Sequence, residues 1–560
     1  MVSVIFAYGA TSRLNRIALW GQLAKSYHGQ RGQAILRPSW YATVVLDRTY
    51  SAVLGLLMLT GCGQTSSESP KATPTKPSST TPSGSAVAPA PVLFPAGTKS
   101  LRLSKTVSVR LEPNDDAKRI GTVAIDTRVG WTTSQTGAGC TKPWIKIEPT
   151  GWVCAEFLRP ETKPPHGQEV PYLDRDEVVP GVYGKVVAAG ATLYGYDDPS
   201  KNKPTPPGKS KDKKLKTKAG DKKAKNSDAP VTSPTEVDNT APSDAPSDVT
   251  KSRMVPLKPV VGSMNVRRYA ELTVAGKQYW KISDKNNEYV LRSSISQHTP
   301  SNFVGARFGD DTGTDAPLGF IWPRSGGLYV WARRKAVGGG VTRQLTKKTA
   351  VAIFETSNDA AGKPAAYRIN ASEWVDASAL RIFTPAPAPR GLEPNERWID
   401  IDLDTQILVG FEGIQAVYAT LVSSGGRETP TEPGVYRMWK KVSETDMNGL
   451  NGEDPYSVAT VPWTQFFSPE QGLAIHTAYW HNDFGIVRSH GCINVAPQDA
   501  RWLYFWSDPQ TPPGWSMSAG VLEQPGSIVR VRSSKVPDPP EREYAIKVLE
   551  ARRAILTGGR

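Results

Sequence analysis

Three segments of this chain read alike, and each has the pattern that ends a small β unit. They are "WIKIEPTGWVCAEFL" (Trp144 to Leu158), "YWKISDKNNEYVLRSSI" (Tyr279 to Ile295) and "AYRINASEWVDASAL" (Ala366 to Leu380). Each runs an aromatic residue, a basic residue flanked by apolar ones, a polar turn, Trp or Tyr followed by Val, and an apolar residue shortly after. In physical terms this is a β-hairpin with an aromatic side chain on each strand, closing into a short final turn. Recurrence at this scale predicts three small β-barrels in series rather than one large core. The first spans 98–160 and begins near "LRLSKTVSVRLEP" (Leu101 to Pro113). The second spans 165–300 and is interrupted over 201–252. The third, 305–385, is the most diverged. A chain of 560 residues needs several domains anyway, and its 49 Gly, 47 Pro and 38% hydrophobic residues point to turns, linkers and mainly β structure.

These endings resemble those of bacterial SH3-like domains, whose last strands pair a W-x-x-V type segment with a G-W-V type segment. The resemblance implies modules that bind wall polymers or position a neighbouring domain; plain spacing is the alternative reading.

The net charge of +15 invites a nucleic-acid reading, but much of it is local. "KNKPTPPGKSKDKKLKTKAGDKKAK" (Lys201 to Lys225) holds eleven Lys and two Asp, without aromatics or hydrophobic period. It reads as a solvated, disordered insert, with weak attraction to an anionic polymer or lipid surface as the sharper alternative. No nucleic-acid partner is expected.

Near the front, "SAVLGLLMLTGCG" (Ser51 to Gly63) follows Arg48. It is too short to span a membrane as a mature helix and fits the apolar core of a secretory signal over 1–61. "LTGC" (Leu59 to Cys62) resembles a bacterial lipobox, which implies lipidation of Cys62 and cleavage before it. Residues 62–97 then read as a disordered tether. Gly63 in place of aspartate leans toward the outer membrane, so the expected location is the cell envelope, as a periplasmic, outer-membrane lipoprotein. Residues 2–57 contain no methionine, which points to a start at a non-Met codon near Val44, Val45 or Leu46.

There are four cysteines. With Cys62 lipidated, Cys140 and Cys154 flank the first hairpin and are expected to pair, as cysteines in small exported domains do. Cys492 is then left as a free thiol.

Beyond the Pro-rich boundary "FTPAPAPRGLEP" (Phe383 to Pro394), Ile399, Ile401 and Leu403 alternate with Asp400, Asp402 and Asp404. Period two predicts a half-buried strand with one wet face. Asp404 and Thr405 turn the chain into "QILVGF"; "AVYATLVSS" (Ala416 to Ser424) and "SIVRVR" (Ser527 to Arg532) extend the sheet. Helix is expected only at "PQDARWLYFW" (Pro497 to Trp506), with Pro at its start, and at "EREYAIKVLEARRAIL" (Glu541 to Leu556) within the tail 535–560.

Half of the six histidines fall within "AIHTAYWHNDFGIVRSHGCINV" (Ala474 to Val495), beside Cys492. Thiol chemistry needs a thiolate, a base for its proton, a group that orients the base and donors for an oxyanion. His476 and His490 are both candidates for the base, and an imidazolium beside the thiol would lower its pKa. Gly491 lets the backbone turn sharply and aim the Gly491 and Cys492 amides into one pocket. Ser489 and Asn494 can fix nearby groups. The H-x₄-H and H-x-C spacings match no familiar zinc pattern, so no metal is expected.

The stretch resembles the L,D-transpeptidase catalytic domain (the YkuD-like family): a histidine, then roughly fifteen residues, then S/T-H-G-C, an apolar residue, and Arg or Asn. "TLVSSGGRETPTEPGVYRMWKK" (Thr420 to Lys441) resembles the family's strand, T-P-x-G-x-Y/F turn and next strand. The resemblance spans 396–534 and implies a β-sandwich with a short helix. It implies Cys492 as nucleophile, His476 as general base and acid, the Thr477 carbonyl as its orienter, and His490 and Gly491 at the oxyanion region. Tyr479, His481, Asn482, Ser489 and Asn494 would border the substrate. The implied reaction is cofactor-free acyl transfer from a peptidoglycan tetrapeptide stem, with release of D-Ala. The acceptor is an amine of another stem, giving 3-3 crosslinks, a lysine of an outer-membrane protein, a D-amino acid or water. An L,D-carboxypeptidase and a largely non-catalytic wall-binding lipoprotein are the alternatives.

Overall fold

A computed structural model describes residues 94–198, 252–311, 316–449, 455–522 and 524–557. Cys62, the signal reading, the tether up to residue 93 and the Lys-rich run Lys201 to Lys225 lie outside the described residues. The chain is mainly β, as the turn-rich composition predicts.

The three repeated endings fold the same way. Trp144–Ile147 pairs with Trp152–Cys154, Lys277–Lys281 with Tyr289–Leu291, and Pro364–Arg368 with Trp374–Asp376, all antiparallel. Each second strand runs into one turn of 3₁₀ helix and a final short strand. Each unit buries its own apolar cluster, around Ile145 and Val153, Trp280 and Val290, or Tyr367 and Val375. A disulfide joins Cys140 to Cys154 in the first unit. In the second, Thr192–Asp197 and Arg253–Pro259 form an antiparallel pair, so the long interruption leaves from the end of a hairpin.

Residues 397–532 form a two-sheet sandwich. Its strands are β1 (Arg397–Asp402), β2 (Ile407–Glu412), β3 (Gln415–Leu421), β4 (Gly434–Arg437), β5 (Lys440–Gly449), β6 (Tyr456–Ser468), β7 (Leu473–Thr477), β8 (Ile493–Val495), β9 (Trp515–Ala519) and β10 (Ile528–Arg532). Helix α1 (Pro497–Trp506) follows β8, and α2 (Glu543–Leu556) closes the described chain. One sheet runs β3-β2-β1-β10-β4; the other sets β6 between β5 and β7, with β8 beside β7 and β9 beside β5. Ile399, Ile401, Trp463, Phe467, Ile475, Ile493 and Leu503 fill the space between them.

The expected wet face of β1 is not wet. Asp400 and Asp402 are buried. The last strand, β10, runs parallel beside β1, and its Arg530 and Arg532 both bind the Asp400 carboxylate. The two guanidiniums also donate to the carbonyls of Pro387 and Thr384, so the Pro-rich boundary lies over the charges. Alternation showed which residues share a face; it could not show that arginines from 130 residues away would cover it.

Helix α1 is fixed at both ends by buried polar groups. Asp499 accepts from Gly305 N (2.8 Å), the Tyr418 hydroxyl (2.6 Å) and Thr420 Oγ1. Lys441 Nζ donates to the carbonyls of Tyr504 and Ser507 at the C-terminal end, where helix carbonyls lack partners. Burial pushes Asp499 up to about 6 and pulls Lys441 down to about 7.

All three upstream units pack on the sandwich. Arg119–Val123 of the first pairs with β9, where Trp515 lies so close over Gly121 that an added Cβ would come within 2.0 Å of its ring. Ser263–Arg268 of the second runs parallel to the start of β6. Leu318, Phe320 and Ala352 of the third share a core with Val409 and Phe411. Ala306 and Arg307, expected in the third unit, instead extend the sandwich beside β3.

Candidate active site

The site forms where β7 and β8 lie parallel. Register pairs Ile475 with Ile493 and His476 with Asn494. Both isoleucines enter the core, so alternation puts His476 and Asn494 on the opposite face. Cys492 lies two residues before Asn494, at the entry to β8. It is the free cysteine among the described residues and is half-buried.

His476 is buried, and its Nδ1 lies 2.9 Å from the Thr477 carbonyl oxygen. A carbonyl only accepts, so Nδ1 carries the proton and Nε2 keeps its lone pair. Burial pulls the imidazole down to about 4, and burial pushes the Cys492 thiol up, against a smaller opposing effect of a backbone hydrogen bond from Ala474. The resting pair is therefore neutral thiol and neutral imidazole. Both groups sit where charge is poorly solvated, so burial works against an imidazolium at His476 that would lower the thiol.

The loop before Cys492 is held from within. Gly491 has φ +118°, a conformation that favours glycine. Its N–H donates to Ser489 Oγ at 3.2 Å, and Ser489 Oγ donates to the Cys492 carbonyl. The Gly491 amide is thus turned toward Ser489. Thr431 Oγ1 donates to the Gly491 carbonyl (2.6 Å) and accepts from Gly425 N (2.9 Å). Thr431 went unnoticed in the sequence although it lies in the quoted "ETPTEPGVY" turn; nothing in that string says which carbonyl its hydroxyl meets.

The other expected substrate contacts separate into three groups. His481 and Asn494 are buried and bonded to each other at 3.0 Å. Asp483 N–H donates to His481 Nδ1 at 3.1 Å, and the contact with Asn494 is between His481 Nε2 and Asn494 Nδ2. Burial holds His481 at about 4. Ser489 is likewise buried, so these three brace the loop. Tyr479 is fully buried, donates to the Ala459 carbonyl (2.7 Å) and stacks on Tyr183 of the second unit at 4.0 Å. It packs between the second unit and the sandwich. Asn482 is exposed, but it turns toward the third unit: Lys348 Nζ and Ser301 Oγ both donate to its Oδ1. His490 is exposed and stacks on Tyr456 at 4.6 Å, an aromatic partner the sequence did not reveal because it comes from the far end of β6. Among the described residues no three His, Cys, Asp or Glu side chains group to hold a metal.

The site thus sets a free thiol at the entry to β8 and, on the paired strand β7, an imidazole whose Nε2 can accept one proton. Residues 396–517 match the L,D-transpeptidase catalytic domain. The transpeptidase match runs from β1 into β9 and so contains both His476 and Cys492. Solved structures similar to this chain include an Enterococcus faecium L,D-transpeptidase mutant (25% identity, 24% of this chain, 50% of that one, TM-score 0.20). Others are a Mycobacterium smegmatis L,D-transpeptidase (21%, 29%, 72%, 0.21) and L,D-transpeptidase 3 from Mycobacterium tuberculosis (19%, 29%, 73%, 0.20). The chain spans about half the length of the E. faecium protein. A comparison with curated proteins finds no match.

Proposed function

We propose that the chain is a peptidoglycan L,D-transpeptidase in which Cys492 is the nucleophile and His476 the general base. The observation that carries this reading is the hydrogen bond from His476 Nδ1 to the Thr477 carbonyl, which leaves Nε2 as proton acceptor on β7, the strand paired with the one that Cys492 leads into. Cys492 Sγ attacks the carbonyl of the third stem residue as His476 Nε2 takes the thiol proton. The tetrahedral oxyanion collapses, the C–N bond breaks, and His476 returns the proton to the leaving D-Ala amine. A thioester remains. The acceptor amine then attacks it, His476 takes the amine proton, and Cys492 leaves and is reprotonated. The Cys492 amide and the His490 segment are the donors for the oxyanion, with Gly491 shaping the turn rather than giving its N–H.

The same proposal places the chain in the cell envelope as a lipoprotein anchored through Cys62, supported by the "LTGC" segment. The three upstream units would hold the sandwich against the wall.

Incubation with a tetrapeptide stem and mass spectrometry tests the assignment. A thioester on Cys492, absent in Cys492→Ala, is expected. Acylation that persists in Cys492→Ala sinks it. Adding an acceptor stem separates transpeptidation, which gives dimers, from carboxypeptidase action, which gives only tripeptide.

A further inference from the structure

The loop 478–485 leaves β7 directly after Thr477 and runs over the base: the Trp480 ring lies 5.9 Å from that of His476, and His481 contacts Asn494 of β8. Backbone groups in such a place need partners, and here they come from three sources. The sandwich supplies two. Gly485 N–H donates to the Val422 carbonyl (2.8 Å), and Ser423 Oγ donates to the Asp483 carbonyl (3.0 Å). The second unit supplies Tyr183, stacked on Tyr479. The third unit supplies two cations. Lys348 Nζ donates to the Asn482 carbonyl and to Asn482 Oδ1 (2.8 Å). Arg381 donates to the Gly485 carbonyl and to that of Thr405 (3.0 Å), in the turn between β1 and β2. Trp322 closes on Gly485 so tightly that an added Cβ would come within 2.3 Å of its ring, and the Arg381 guanidinium lies 4.0 Å over the same ring.

These cations differ from those of an ordinary domain contact. The pair Arg501 and Glu169 joins α1 to the second unit through a carboxylate at 3.0 Å, with both side chains well exposed. Lys348 and Arg381 are half-buried, and burial pulls them down to about 8 and about 10. The hydration they lose is replaced by oxygens of the loop and of the β1–β2 turn. We propose that the third unit completes the active site, with Lys348 and Arg381 as positioning residues that hold this loop over His476 and so keep the base buried and aligned. The inference rests on the transpeptidase reading for the role of His476. Burial is what lowers the His476 imidazole; Asp483, Arg488 and Lys348 act on His481, its titratable neighbour on the loop, and Cys492 lies at the entry to β8. With the grip released, water reaches His476 and its value rises from about 4 toward the ordinary 6.5. Part of the base is then protonated, and unable to accept a proton, at a pH where the wild-type base is free.

The test uses the full chain. It follows Cys492 acylation by a soluble tetrapeptide from pH 5 to 8, beside the titration of the His476 ring by NMR, which needs no substrate. Lys348→Met with Arg381→Met keeps apolar stems against Phe303, Phe484 and Trp322 and removes the donors. It lowers acylation about tenfold at pH 7 and further toward pH 5, with stem affinity unchanged, and His476 titrates inside this range. Lys348→Arg, which can donate to the same oxygens, keeps the wild-type profile, as does Lys335→Met, which removes an exposed charge from the same unit. Wild-type rates with a flat profile in the double variant overturn the inference. So does an equal loss at every pH with His476 unshifted, which marks a merely structural contact. Should the double variant not fold, the exposed Asn482→Ala decides: it shifts His476 in the same direction by less, and an unshifted His476 overturns the inference. Absence of acylation in the wild type would instead remove the transpeptidase reading, while the NMR titration still tests the grip.

Discussion

The first β unit and the sandwich are held together by different means. The first unit is built on aliphatic alternation: Leu101, Leu103, Val109, Ile145 and Val153 are almost wholly buried, and one disulfide joins its hairpin. The sandwich buries charge as well as carbon. Asp400 with Arg530 and Arg532, Asp499 with Tyr418 and Thr420, and Lys441 against the end of α1 all lie inside it. The first arrangement gives stability to a module. The second fixes the positions of β1, β10 and α1, and so of β8 and the cysteine loop, because a buried charge tolerates few geometries. Damage should therefore read out as local unfolding in one region and as lost chemistry in the other.

The largest expected effect tests the chemistry directly. His476→Ala should slow acylation of Cys492 by about 10²–10⁴-fold while the thermal midpoint and stem binding stay near wild type. Rates within threefold of wild type would move the base elsewhere, His490 being next. Asp400→Ala comes second. It leaves two buried guanidiniums without their carboxylate and should cost about 3–5 kcal/mol, seen as a lower denaturation midpoint with acylation falling in step. A small loss would mean that water reaches the arginines and that the buried network does not set the sandwich apart. Third, Cys140→Ser with Cys154→Ser should cost about 3 kcal/mol in the first unit alone. Hydrogen exchange should rise around Trp144–Ile147 and stay unchanged at β7 and β8, with acylation preserved. Exchange spreading into the sandwich through the β9 pairing would show that the regions unfold together.

The same contrast explains what the sequence could tell. Hairpins of the repeated units were legible because their signal is local: an aromatic, a turn and an aromatic within fifteen residues fix the pairing. The free state of Cys492 and the bond from His476 to the Thr477 carbonyl were legible through a compact motif. The pairing of the first unit's cysteines followed from their place around one hairpin. Illegible were contacts between distant segments. Nothing near Asp400 announces Arg530, nothing near Tyr479 announces Tyr183, and nothing near His490 announces Tyr456. Tyr479 and Asn482 were expected at the substrate because they stand beside His481 in the chain. In a bent loop, neighbours in sequence face different partners.

The smallest expected effect is a flat line, and it separates two forms of the mechanism. With His476 at about 4 and the Cys492 thiol above its ordinary value, the reactive pair is neutral, and proton transfer accompanies attack. The second-order acylation rate should then vary less than about twofold between pH 5 and 8, since His476 stays unprotonated and Cys492 stays protonated throughout. It should fall as pH drops through about 4, where His476 gains a proton and can no longer accept one. A mechanism that draws on free thiolate predicts something different: about a tenfold rise per pH unit over the same range. Acid also acts on the fold. His298, His476 and His481 are all held near 4 by burial, below the ordinary value of 6.5, so each contributes stability above about 6.5 that is lost as pH falls through about 4. Rates below pH 5 must therefore be taken by rapid pH jump, before unfolding, so that a drop near pH 4 reports the base. A steady climb from pH 5 to 8 would show that the thiolate forms before attack, and that the sandwich solvates charge at Cys492 better than its burial implies.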